Sequence, residues 1–207
     1  SSYSVTGVQT CALPILSDEV YRDLYLGAKP DSILDSGPMP GVVALGSMSK
    51  AFAAPGLRVG WAWGDPEVLA PARLVHNAMT SCLSWPAQAA AVALLRDADA
   101  VVKESRRQLA VRRAAFEAAF RGAFPHLPAP ALPAGGFYHW LSLPDLHGED
   151  PVHFCLRVRD EGKVIVVPGI AFGSRGAGHV RISWGGDPTD TAVGLRQIGR
   201  ASCRERV

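Results

Sequence analysis

The stretch GVVALGSMSKAFAAPGLRVGWAWGDPE, Gly41 to Glu67, constrains the fold more than any other. Val42 to Leu45 is an apolar run of strand length that stops at small residues. Arg58 to Gly64 reads as a second short strand. Asp65-Pro66-Glu67 then opens a helix, with Asp as cap and Pro in the first turn. Strand, turn, strand and helix in this order point to an α/β layer structure.

The flanking sequence continues the pattern. LPILSDEVYRDL begins apolar and turns acidic, like a strand ending in a loop. The Ala/Leu-rich stretch to Leu95 predicts helices interrupted near Ser84-Trp85-Pro86. From Asp99 to Phe124 one long helix is expected, with Val102, Leu109, Phe116 and Phe120 on one face. Lys103, Arg106, Arg107, Arg112 and Arg113 then point elsewhere, and a solvated face explains them better than nucleic acid, because no aromatic residues interleave. After the Pro-rich connector Leu127–Gly135 come a strand (Gly136–Leu143), a short helix (Val152–Asp160), strands in VIVVPG and HVRIS, and a helix starting near Asp187. The expectation is α/β: part of a mainly parallel-sheet large domain, then a smaller α+β domain. Trp61, Trp63, Phe137 and Trp85 read as core residues, and Cys82 and Cys155 as buried small hydrophobes.

Charge and composition exclude several classes of function. A formal net charge of +2 gives no reason to expect nucleic acid or a membrane surface as partner, and no apolar run has the length of a membrane span. Four cysteines without a CxxC pair form neither a disulfide framework nor a zinc site, so a cytoplasmic location is expected. His147, Glu149 and His153 read as loop residues and not as a metal cluster.

Both ends look foreign to the rest. Ala12-Leu13-Pro14-Ile15 can be coded by GCT CTT CCG ATC T, and the reverse complement of that string, read in another frame, gives Ile198-Gly199-Arg200-Ala201. Inverted ends of this kind resemble translated sequencing-adapter DNA. Residues 1–15 and 197–207 are therefore expected to be adapter-derived, and the segment between them is expected to be a gene fragment. Residues 16–97 are expected to be the end of the large domain and 98–196 the small domain.

Lys50 follows a predicted parallel-sheet strand, and ligands of open α/β sheets gather outside the carboxyl ends of strands. A neutral lysine amine forms a Schiff base with a carbonyl, and a nearby cation such as Arg58 disfavours its ammonium form. Ser47, Ser49 and Arg58 together suit a phosphate. A carbonyl and a phosphate on one ligand suggest pyridoxal 5'-phosphate. Asp18 then gains a purpose, because that cofactor withdraws electrons only with its ring nitrogen protonated, and Tyr21 is placed to donate to the ring oxygen.

DEVY, SMSKAFAAPGLRVGW, GGFYHWLSLP, VPGIAFG and HVRIS, in that order, resemble the pyridoxal-phosphate-dependent class I/II aminotransferases of the aspartate aminotransferase fold. The resemblance implies transamination between an amino acid and a 2-oxo acid in a homodimer. It implies Lys50 as the covalent anchor and proton shuttle, Asp18 on the pyridine nitrogen and Tyr21 on the ring oxygen. Ser47, Ser49 and Arg58 would hold the phosphate, and Arg181, in HVRIS, would grip the substrate α-carboxylate. It also implies parts not found here: an N-terminal arm, a second phosphate loop, a ring-stacking aromatic and an asparagine. The fragment alone is accordingly expected to be inactive. TSCLSWPAQAA, Thr80–Ala90, resembles a segment that approaches the neighbouring active site.

Other readings share some of these residues. A β-lyase or cyclopropane-forming synthase of the same fold needs the same lysine, aspartate and arginine. A transcription regulator with an aminotransferase-like sensor domain would carry its DNA-binding part upstream. Ser47-Met48-Ser49-Lys50 also fits S-x-x-K of serine β-lactamases, but the downstream SDN-like and KTG motifs are missing.

Overall fold

Three strands build the first sheet, in the order β1 (Ile15–Asp18), β2 (Val42–Ser47), β3 (Gly60–Gly64). The computed structural model describes residues 14–142 and 149–202. The chain divides at Arg106 into two compact units. β1 runs parallel to β2 with Asp18 opposite Leu45, and β3 returns antiparallel with Gly60 opposite Ser47. Val42 and Val43 are buried, and Leu24, Leu34, Met48, Ala51 and Phe52 complete the core beneath them.

The second predicted strand is shorter than expected. It begins at Gly60, because Arg58 takes a left-handed backbone conformation that no strand tolerates. Asp65 caps α1 (Pro66–Met79): its carboxylate accepts from Glu67 N at 2.8 Å and from Gly41 N at 2.5 Å. The same group therefore starts a helix and ties down the entry to β2. These N–H groups, Gly41 first, hold the Asp65 pKa below its ordinary value. α2 (Trp85–Arg96) follows after the break expected near Trp85.

Several expected core residues lie elsewhere. Trp61 and Trp63 are 44% and 53% exposed. Two residues apart, they share one face of β3, which is the edge of the three-stranded sheet. Trp85 is 77% exposed at the first turn of α2, and Cys82 is exposed in the link before it. Phe137 is only half-buried. Residue type argued for burial at each position, but burial requires a second layer there, which residue type does not report.

α3 (Ala98–Ala123) carries the chain into the second unit. Its Leu109, Phe116 and Phe120 are buried as the periodicity predicts. The basic residues are less idle than a solvated face implies. The Arg106 guanidinium lies 4.5 Å from the Tyr25 ring centroid, Arg112 donates to Gly185 O at 2.7 Å, and Arg113 donates to Pro133 O and to Glu117.

The second sheet is antiparallel throughout, in the order β4 (Tyr138–Ser142), β6 (His179–Ser183), β5 (Val167–Pro168). VIVVPG yields only two strand residues: Pro168 has no N–H to donate, and Ile165 is 83% exposed. α4 (Pro151–Gly162) is capped by Asp150, which accepts from Val152 N and His153 N. α5 (Pro188–Ser202) buries Leu195 and Ile198. Cys155 is buried as expected, and burial, then the charges of Asp150 and Glu149, push its thiol pKa up to about 11. Phe116 and Phe120, each 2% exposed or less, meet the His139 ring edge-on, and burial pushes the His139 pKa below its ordinary value; Trp184 and Phe124 extend the cluster against Phe116 and Phe120. Among the described residues, neither His139 Nδ1 nor Trp184 Nε1 has a hydrogen-bond partner.

Most of the two end segments read as adapter-derived falls outside the described residues, as do Leu143 and His147. Ile15 already pairs with Val42 in β1, and α5 continues to Ser202.

Candidate active site

Because β1 and β2 are parallel, their carboxyl ends open on the same edge of the sheet. Asp18 is the last residue of β1 and Ser47 the last of β2. With Asp18 opposite Leu45, Ser47 lies two residues further on, about 7 Å along the strand direction. Glu19 N donates to Leu45 O at 3.0 Å and extends the ladder by one residue before the chain turns. Arg22 N to Glu19 O and Leu24 N to Tyr21 O, each 2.9 Å, form that turn, and buried Leu24 anchors it.

The lysine turn is held from both sides. Ser47 Oγ accepts from Ser49 N at 3.0 Å and lies 3.0 Å from Ser49 Oγ. Met48 N donates to Val59 O at 3.1 Å, Ala54 N to Met48 O and Ala53 N to Lys50 O, both at 3.0 Å. Met48, Ala51 and Phe52 are buried, so Lys50 stands between fixed neighbours. Its Nζ lies 5.3 Å from the Tyr21 ring centroid. Two residues from different loops, both singled out in the sequence, are thereby brought together.

Arg58 follows a single turn of 3₁₀ helix, Pro55–Leu57, and has φ 55° and ψ 36°. A side chain in this left-handed region costs about 1–2 kcal/mol, which glycine would not incur. The strain places the guanidinium back over the turn, where Nη1 donates to Pro55 O at 3.0 Å. Strain of this kind at a functional side chain is a pointer to function.

Asp18, Ser47, Ser49 and Arg58 line one cleft of about 470 Å³, floored in part by Gly46 and Gly60. Sequence reasoning passed over both glycines. A Cβ at Gly46 would run into the Trp61 indole, and one at Gly60 would stand 2.9 Å from Gly46 O. A glycine inside a strand next to the lysine motif was the available signal. Lys50 and Tyr21 do not line the cleft.

Arg181 belongs to the other unit. It lies on β6, with Trp140 of β4 on one side and Val167 of β5 on the other. Its guanidinium carbon lies 4.3 Å from the Tyr138 ring centroid and 4.7 Å from that of Phe172. Both rings fall in stretches singled out in the sequence, but neither was read as a site residue. Glu149 is engaged by Arg157, with Nε to Oε1 at 3.0 Å, and among the described residues no group of three or more His, Cys, Asp or Glu side chains is placed to hold a metal ion.

The donor set of the cleft fits pyridoxal phosphate: a carboxylate at one strand end, two hydroxyls and a guanidinium at the next, and a primary amine on the adjoining turn. The sequence matches the family described as Aminotransferase class I and II over residues 8–198. The chain belongs to this family. It is 32% identical over 172 residues to LL-diaminopimelate aminotransferase of Nitratidesulfovibrio vulgaris, covering 82% of this chain and 43% of that protein. An aminotransferase from Staphylococcus aureus superposes with a TM-score of 0.81 at 27% identity, over 96% of this chain and 52% of that one. A double mutant of Thermus thermophilus aspartate aminotransferase gives 0.77 at 26%, over 91% and 48%. The α/β architecture of the aspartate aminotransferase fold is thus established for this class I/II aminotransferase chain, which spans about half the length of the relatives it matches. S-x-x-K, by contrast, sits here on a strand end and turn and does not open a helix.

Proposed function

We propose that the protein transfers amino groups between an amino acid and a 2-oxo acid with pyridoxal 5'-phosphate as cofactor. The observation that carries the reading is one cleft lined by Asp18, Ser47, Ser49 and Arg58, beside a lysine turn whose Nζ meets Tyr21. When bound, the cofactor supplies an electron sink for the substrate carbon that loses its proton.

The chain's own residues do the rest. Asp18 would face the ring nitrogen and keep a proton on it. Arg58 and the hydroxyls of Ser47 and Ser49 bind the phosphate, Arg58 through a fork of N–H donors. The Tyr21 hydroxyl orients the ring by donating to its oxygen. Lys50 Nζ would anchor the cofactor and would take the proton from the substrate α-carbon and return it. Arg181 binds the α-carboxylate as a bidentate pair. Residues 16–97 as cofactor-binding domain and 98–196 as small domain belong to the same proposal.

The proposal extends to a homodimer in the cytoplasm. Leu74, Met79 and Trp85, all more than two-thirds exposed on α1 and α2, support a partner surface. Among the described residues no helix is long and apolar enough to cross a membrane.

The test is covalent capture. The 207-residue chain is incubated with pyridoxal phosphate, reduced with borohydride, digested and mapped by mass spectrometry. The cofactor mass is expected on the Lys50 peptide, with Lys29, Lys103 and Lys163 as internal controls. Equal labelling of all these lysines would sink the reading. An amino-donor screen of the full-length gene product against 2-oxoglutarate then tests transfer itself.

A further inference from the structure

We infer that Tyr138 and Phe172 are positioning residues, which clamp the Arg181 guanidinium between two rings and present its N–H edge to a planar ligand carboxylate. The inference rests on the reading of Arg181 as the carboxylate-binding group.

The clamp follows from strand alternation. Val180 and Ile182 are buried beneath β6, so Arg181 between them emerges on the opposite face. Tyr138 and Trp140 lie on that same face, because His139 and Leu141 between them are buried. Trp140 stands directly opposite Arg181, and Tyr138, opposite Ser183, is its diagonal neighbour, within reach of a long side chain. One ring at 4.3 Å therefore comes from β4.

The other ring comes from VPGIAFG. Phe172 ends the single turn Gly169–Phe172, and that turn is pressed against the following one. A Cβ on Gly169 would collide with Gly176 O, and one on Gly176 with Gly169 O. Gly173, with φ 115°, carries the chain away immediately after Phe172. Trp140 then meets the Phe172 ring edge-on at 5.4 Å and is itself stacked on His179 at 5.5 Å. Phe172 remains 52% exposed, so its own burial does not explain a phenylalanine there. Its contact with Arg181 at 4.7 Å does.

The arrangement has a consequence for binding. A long cation on an open strand loses rotamer freedom when a ligand holds it, and rings on both faces of the guanidinium remove that freedom beforehand. In the inferred clamp the rings lie against the faces of the guanidinium plane, while a carboxylate approaches along its edge, so the two interactions do not compete.

The test titrates 2-oxoglutarate into the 207-residue chain, with affinity read by calorimetry in every variant and, wherever Arg181 is kept, also by NMR at its Nε–H signal. Arg181→Lys is expected to abolish the saturable heat of binding. Tyr138→Leu and Phe172→Leu are each expected to weaken binding about five-fold, about 1 kcal/mol at 1.4 kcal/mol per tenfold. Tyr138→Phe keeps the ring and retains the parent affinity. Rotation about the Arg181 Nε–Cζ bond is slow in the parent and in Tyr138→Phe but fast in the leucine variants, while the Val180 and Ile182 amide shifts stay unchanged. A merely structural role would not move the rotation rate. If both leucine variants bind like the parent while Arg181→Lys does not, the clamp is refuted and the reading of Arg181 stands. If Arg181→Lys binds like the parent, or the parent shows no saturable shift at Arg181, both fall.

Discussion

Arg58 separates backbone strain from side-chain function in a single position. Replacing it by alanine or by glycine removes the same guanidinium from the cleft. The two variants differ in what remains at φ 55°. Alanine keeps the left-handed strain of about 1–2 kcal/mol; glycine loses it but gains about 0.4–1 kcal/mol of unfolded-chain freedom. Arg58→Gly is therefore expected to be more stable than Arg58→Ala by about 1 kcal/mol, or about 3 °C in melting temperature for a chain of this size. Cofactor binding should fail alike in both. Charge-assisted hydrogen bonds to a phosphate contribute about 1.5–3 kcal/mol, so affinity for pyridoxal phosphate should drop about 10- to 150-fold. Urea unfolding followed by tryptophan fluorescence reads the first effect, and titration of the cofactor's visible absorbance reads the second. A glycine variant no more stable than the alanine variant would refute the strain argument. A glycine variant that binds pyridoxal phosphate like the parent would refute the phosphate assignment.

Three further outcomes are expected. Phe116→Ala removes a fully buried ring that meets Phe120 at 5.9 Å and His139 at 5.7 Å; it should cost about 3–5 kcal/mol in chemical unfolding, whereas Phe116→Leu costs far less. A loss for the alanine variant below about 1 kcal/mol would show that this cluster does not organise the unit. His139 is a base whose folded pKa lies below its unfolded value of about 6.5, so the unfolded chain binds the proton first and stability falls as pH drops below about 6.5. His139→Leu should flatten that decline, and urea midpoints measured from about pH 7.5 to about pH 5 check it; parallel declines in the two proteins would overturn the assignment. Gly46→Ala places a methyl group against the Trp61 indole and should cost about 1–3 kcal/mol, with a shifted tryptophan emission and weaker cofactor binding; an unchanged spectrum would contradict the packing.

Features that depend on neighbours along the chain were legible in the sequence. Asp65 with Pro66 announces a helix start by local pattern, because the capping bond itself is made to the N–H of Glu67, two residues on. Leu109, Phe116 and Phe120 announce the buried face of α3 by spacing alone. The chemistry of Lys50 with Ser47, Ser49 and Arg58 was legible for the same reason, since the four lie within twelve residues of one another.

What depends on layers and registers was not. Trp61, Trp63, Trp85 and Cys82 have the composition of core residues, yet exposure is set by what covers a face. VIVVPG has strand composition, but hydrogen-bond pairing reduces it to Val167–Pro168. Arg112 and Arg113 look like solvated charges until the loops they bind are seen. The sequence alone determined the candidate chemistry: a lysine amine, an aspartate and a phosphate-binding set by local pattern, and the strand arginine Arg181 by the family resemblance. Only the tertiary structure decided that the parallel register sets Asp18 into one cleft with Ser47 and Arg58, and that Arg181 meets the rings of both Tyr138 and Phe172. The physical reason is that a local pattern reports each residue's own backbone preference, whereas a site is an alignment between strands and turns that are distant in sequence.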